Sequence, residues 1–147
     1  MTMHRRPLGH GRTLAAIAGV LMVVGCALPW WRLEQVGGPP ALTGNGLELA
    51  AFVVFLVGIA TLALVSLPYA LGDRPTAIDI WLSFGVLAVI GWLGFVVDIV
   101  QLVGLKVFHF TELAQIVTNG PGLWLAGIGL IVLSRAAYDV AREPTRR

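Results

Sequence analysis

The chain has 147 residues, of which 57% are hydrophobic and 12% charged, with a mean hydropathy of +0.85 and a formal net charge of +2. A water-soluble domain carries roughly 25% charged residues, so this composition excludes an apolar core wrapped in a charged shell. The calculated pI near 9.2 does not mark a nucleic-acid binder, because the basic side chains flank apolar segments instead of lining one polar face.

Four runs carry no charged side chain: residues 13–31, 49–72, 80–97 and 113–134. Each approaches the ~20 residues with which an α-helix crosses bilayer hydrocarbon. A charge at the centre of such a helix costs about 2.5–3.5 kcal/mol, which makes lipid the expected solvent. The expected fold is all-α: a single transmembrane domain over residues 1–147, built as a four-helix up-down bundle. Its spans are expected at about 13–31, 47–71, 78–104 and 121–138, with outer loops at 32–46 and 105–120.

In chain order, the N-terminal segment carries Arg5, Arg6 and Arg12 ahead of the first span. Cys26 then has two readings. The basic start, the apolar run and Gly25 before the cysteine fit a bacterial lipoprotein signal in which Cys26 is lipidated. The apolar continuation through Ala27, Leu28, Pro29, Trp30 and Trp31 fits instead a small apolar side chain facing lipid or a helix. With one cysteine no intramolecular disulfide forms. Pro29 loosens the last turn of this span. Residues 31–36 alternate in part and suit an extended segment, although no strand is clear, and 37–40 (GGPP) form a turn. Span two opens with Glu48 in its first turn, where a negative charge suits the helix dipole. Asp73, Arg74 and Pro75 make a tight connection, so spans two and three form an antiparallel hairpin. Thr111 is placed to cap a short helix in the headgroup plane, with Leu113, Ile116 and Val117 on its apolar face. Pro121 opens span four.

The flanks fix an orientation. Arg5, Arg6, Arg12, Arg74, Arg135, Arg142, Arg146 and Arg147 lie on one side, against Arg32 and Lys106 on the other. The positive-inside rule puts both termini in the cytoplasm. The aromatic residues agree, with Trp30, Trp31 and Trp124 expected at the outer interface and Tyr69, Trp81 and Tyr138 at the inner one.

Residues 19–25 (GVLMVVG) echo 85–91 (GVLAVIG), and 46–50 (GLELA) echo 122–126 (GLWLA). One reading is a tandem repeat of two helix–loop–helix units in the same orientation, as parallel repeats occur in transporters. The other is coincidence within a restricted alphabet. Ala15 and Gly19, Gly85, Ala88, Gly91 and Gly94, and Gly122 and Ala126 are spaced as small-residue contacts between helices, within the chain or toward a partner.

Asp98 is the leading site candidate. It lies ~9 Å inside span three if that helix runs to Gly104, and an ionisable group at such depth invites a functional reading. Gln101 follows one turn later, and Glu48, Arg32, Lys106 and His109 are expected at the same end. Either Asp98 handles a proton or cation, or it pairs with Arg32 or Lys106 to fix two helix ends. Trp92, at mid-span, needs an acceptor for its indole N–H. His109 and Glu112 lack zinc-ligand spacing, no serine sits in a nucleophile elbow, and no cofactor motif is present.

Leu28-Pro29-Trp30-Trp31 and the following Thr43-Gly44-Asn45-Gly46-Leu47-Glu48 resemble small four-span membrane proteins of GC-rich bacteria, a group with no settled activity. The resemblance covers mainly residues 19–50 and implies four helices and an inner-membrane address. The expected function is a non-enzymatic accessory or scaffold subunit, with the bilayer and other membrane helices or further copies as partners. The alternatives are a small transporter or channel component using Asp98 and Glu48, and a lipid-handling protein. Reporter tags fused to the two ends should report the same compartment; opposite compartments would refute the even number of crossings.

Overall fold

The computed structural model describes residues 9–33, 42–71, 80–104 and 120–142. Among them, four helices are each long and apolar enough to span a membrane. They are α1 (His10–Ala27), α2 (Phe52–Leu71), α3 (Ile80–Gly104) and α4 (Pro121–Arg142). A short antiparallel hairpin, β1 (Pro29–Leu33) with β2 (Leu42–Asn45), and a 3-10 turn (Leu49–Ala51) link α1 to α2.

The helices form a ring in which α1 lies between α4 and α2, and α3 closes the far side against both. Every neighbouring pair runs antiparallel. Gly11 faces Val140 while Gly25 faces Ala126, and Gly19 faces Leu62 while Cys26 reaches Ala51. Gly94 meets Val53 while Gly91 meets Val57, and Gly91 also meets Leu130 while Phe95 meets Gly127.

The seams follow steps of three and four residues. On α3 the buried positions include Phe84, Ala88, Gly91, Phe95, Asp98 and Leu102, a heptad series of the kind that sustains left-handed helix packing. On α1, Ala15, Ala18, Met22 and Gly25 are buried with Gly19 and Cys26 beside them, because this helix has two partners. The interior is therefore rich in small residues, whereas the outer faces carry Ile17, Val20, Leu56, Ile59, Val89, Leu93 and Ile131.

The closest approach is between α1 and α4. A Cβ built at Gly25 would lie 2.6 Å from the Ala126 nitrogen, and one at Gly122 would collide with the Gly25 carbonyl oxygen. Gly129 repeats the arrangement lower down against Met22 and Ala18. Only the absence of side chains lets the two backbones meet here.

Several expectations need correction. The first helix ends at Ala27, not at residue 31, and Leu28 is already extended (φ −82, ψ 159). A residue preceding proline is driven out of the helical region, so Pro29 stops α1 two residues ahead of itself and starts a strand. Residues 31–33, expected to be extended, lie in β1, but neither its start at Pro29 nor its pairing with β2 is expected from the sequence. The hairpin register skips between Pro29 and Trp31, which leaves Trp30 as the extra residue of a bulge. Gly85 is not a packing position: a Cβ there would meet nothing within 4 Å. It stands one residue past the seam position Phe84, on the flank of the helix. This also separates the two sequence echoes, since Gly19 lies tight against Leu62 and Gly58 while its counterpart Gly85 lies open. The connection at 72–79, the amphipathic stretch at 111–117, and Lys106 and His109 lie outside the described residues, as do Arg5, Arg6, Arg74, Arg146 and Arg147.

Gly122→Ala should destabilise the bundle by about 1–3 kcal/mol, the usual range for overpacking. Gly85→Ala should instead stabilise it by about 0.5–1 kcal/mol through helix propensity. Thermal unfolding in detergent, followed by circular dichroism, distinguishes the two.

Candidate functional site

The chemistry-bearing side chains converge where α1 ends, α2 begins and the hairpin folds back. Asp98 projects from the seam face of α3 and is 2% exposed. Its Oδ1 accepts a hydrogen bond from the backbone N–H of Ala51 at 3.3 Å. Ala51 closes the 3-10 turn that runs into α2, and the first N–H groups of a helix have no partner within it. A carboxylate from a neighbouring helix thus caps the start of α2, where the helix dipole also favours negative charge.

This changes the roles read from the sequence. Glu48 occupies the N-cap position of the 3-10 turn in extended conformation, yet its side chain is exposed and makes no capping hydrogen bond. The acid that serves this terminus comes from 47 residues further along the chain. Gln101 does not share the buried face of Asp98; it is exposed, because the seam steps from Asp98 by four residues to Leu102. Arg32 lies on β1 opposite Thr43 and is exposed.

Cys26 is fully buried in the last turn of α1, with its Sγ 4.0 Å from the carbonyl oxygen of the same Ala51. Ala51 is therefore held from both sides, its N–H by α3 and its carbonyl by α1. Lipidation of Cys26 would require cleavage after Gly25, which would remove the helix that packs against both α4 and α2. In this structure Cys26 is a small interior side chain.

Trp30 is 1% exposed, not at an outer aromatic belt. The bulge turns its indole inward, where Nε1 donates to the Gly25 carbonyl at 3.0 Å and the ring stands edge-on to Phe95 at 5.7 Å. Gly46 makes room for it: a Cβ there would lie 2.5 Å from Trp30 Nε1. Phe95 also meets Trp92 edge-on at 5.8 Å, so three aromatic rings stack through the upper bundle. Trp92 finds the acceptor it needs in Ser134 Oγ at 3.1 Å, and Ser134 in turn donates to the Leu130 carbonyl at 2.9 Å. Thr61, the other buried polar side chain among the described residues, donates to the Val57 carbonyl within its own helix at 2.7 Å. Among the described residues, every buried side-chain nitrogen and oxygen has a hydrogen-bond partner, and no three His, Cys, Asp or Glu side chains gather as metal ligands.

Of the small residues singled out, Ala15, Ala88, Ala126, Gly19, Gly91, Gly94 and Gly122 are buried on helix seams. What sequence reasoning missed is Ser134, Ala51, the inward Trp30 and the close contacts at Gly25 and Gly129. Only Trp30 left a trace, in the glycine at 46 that makes room for it. Comparison with protein-family models, curated proteins and solved structures finds no match.

Asp98→Ala should leave the Ala51 N–H buried without an acceptor and cost about 1–3 kcal/mol. Asp98→Asn, which keeps a side-chain oxygen at that position, should cost less than half as much. Unfolding in detergent, with hydrogen exchange at the Ala51 amide as a local probe, checks both; equal losses would refute the capping role.

Proposed function

We propose that this chain is a multi-pass protein of the bacterial plasma membrane that acts as an accessory or scaffold subunit and packs its α3 face against another membrane helix. The membrane part of the reading is carried by the outer surface of α3, and the partner helix by the open flank at Gly85 beside it. Leu82, Val86, Val89, Ile90, Leu93, Val96, Val97 and Val100 are all exposed, with Leu93 at 63% and Val100 at 64%. No other helix presents so long an outward apolar row among the described residues. In water such a surface is an aggregation hazard; in hydrocarbon it is unremarkable, which supports lipid as the solvent. The open flank at Gly85 beside this row lets a second helix approach closely.

The orientation proposed has both termini in the cytoplasm. Arg12, Arg135 and Arg142, with Tyr69 and Tyr138, occupy one end of the bundle, and Trp124 and the hairpin occupy the other. That distribution supports the charge rule. Asp98 supports the scaffold reading over transport, because its hydrogen bond is one that holds two helices together.

The single cysteine permits a direct test. In a Cys26→Ala background, cysteines placed at Val89 or Leu93 should form crosslinked species in native membranes. Cysteines at Val20 or Ile17 on α1 should form several-fold less. Equal yields from α1 and α3, or none from either, would refute a dedicated α3 face.

A further inference from the structure

The outward stripe of α4 changes character along its length. Trp124, Ile128 and Ile131 are exposed and apolar; the same stripe then continues as Arg135, Tyr138 and Arg142, also exposed. These positions follow one another at steps of three and four, so they share one helix face. The switch from aliphatic to basic takes place within a single turn.

The basic half is organised. The Arg142 guanidinium lies over the Tyr138 ring, 4.3 Å from its centroid, and the Arg135 guanidinium approaches the same ring at 5.5 Å. Cation–π contact of this kind draws two like charges onto one aromatic side chain. Asp139 lies 3.2 Å from Arg135 and offsets part of its charge. Arg12 belongs to the same end, since its neighbour Gly11 packs on Val140 and Ala136. Among the described residues, three arginines thus stand against one aspartate there.

We propose that the Arg135–Tyr138–Arg142 face is a binding site for the phosphate of an acidic phospholipid in the adjoining leaflet. Three features select this occupant. The stacked guanidiniums present planar donor edges suited to phosphate oxygens. An anion on this face is attracted by both cations that gather at Tyr138. The apolar stripe of Ile128 and Ile131 runs directly into the site, so a ligand bound there has its acyl chains against α4 and its headgroup on the arginines. A soluble anion would use only half of that surface. This inference rests on the membrane reading above.

The test uses the full chain reconstituted in vesicles of phosphatidylcholine, with or without phosphatidylglycerol. Phosphatidylglycerol should raise the thermal unfolding midpoint of the wild type and be retained by it in native mass spectrometry. Arg142→Gln should weaken phosphatidylglycerol retention about tenfold, the factor expected for losing one hydrogen bond between charged groups. Arg12→Gln, which removes the same charge outside the stack, should weaken it less than twofold. Tyr138→Leu should also reduce retention with no change in net charge, and Tyr138→Phe should preserve it. Each variant is checked for an unchanged midpoint in phosphatidylcholine alone. Equal losses for Arg12→Gln and Arg142→Gln would overturn the site in favour of diffuse charge attraction. The same stabilisation by inorganic phosphate in phosphatidylcholine vesicles would overturn the lipid as ligand. Insertion without any phosphatidylglycerol preference overturns this proposal alone; failure to insert into either vesicle overturns the membrane reading with it.

Discussion

The architecture hangs on backbone contact between α1 and α4. Gly25, Gly122 and Gly129 remove the side chains that would hold these helices apart, and the Gly25 carbonyl comes to lie against Gly122. Once that approach is made, the remaining positions follow. The end of α1 is fixed, so Trp30 can turn under the hairpin and donate to the same Gly25 carbonyl. Phe95 is then set against Trp30, and α3 is set against α4. In hydrocarbon this logic is the natural one. Burying aliphatic surface between helices gains little over leaving it in lipid, so association relies on close packing and on polar groups with nowhere else to bond.

The polar groups obey that second requirement. Asp98 is deeply buried in a seam of apolar and small residues, which makes it costly unless it is answered. Its answer is a backbone donor that α2 could not satisfy internally, so one bond removes two liabilities. Ser134 does the same for Trp92 while bonding its own helix. These bonds cross between helices and specify which helix faces which, a task for which interchangeable aliphatic contacts are poorly suited.

The four long helices were legible from charge-free length, and the close contacts at Gly19, Gly91, Gly94 and Gly122 from small residues at helical spacing, whereas Gly25 and Gly129, which bring α1 and α4 together, fall outside that spacing pattern. The failures have physical causes. The hairpin was hidden because its strands are four and five residues long, too short for a clear alternating pattern, and Trp30 sits in a bulge that breaks what alternation exists. Gly85 was misread because a small residue signals close approach only if it lies on a seam, and the seam on α3 passes through Phe84 and Ala88. Asp98 was identified as a group needing explanation, but its partner is a main-chain amide, which has no signature in sequence.

The α1–α4 seam also bears on how the molecule is made. Its two halves, Gly25 and Gly122, are nearly a hundred residues apart in the chain, so α1 leaves the ribosome well before its principal neighbour exists. During that interval the glycine groove has only α2 to cover part of it. Biogenesis must therefore keep an adhesive helix unmated until α4 arrives.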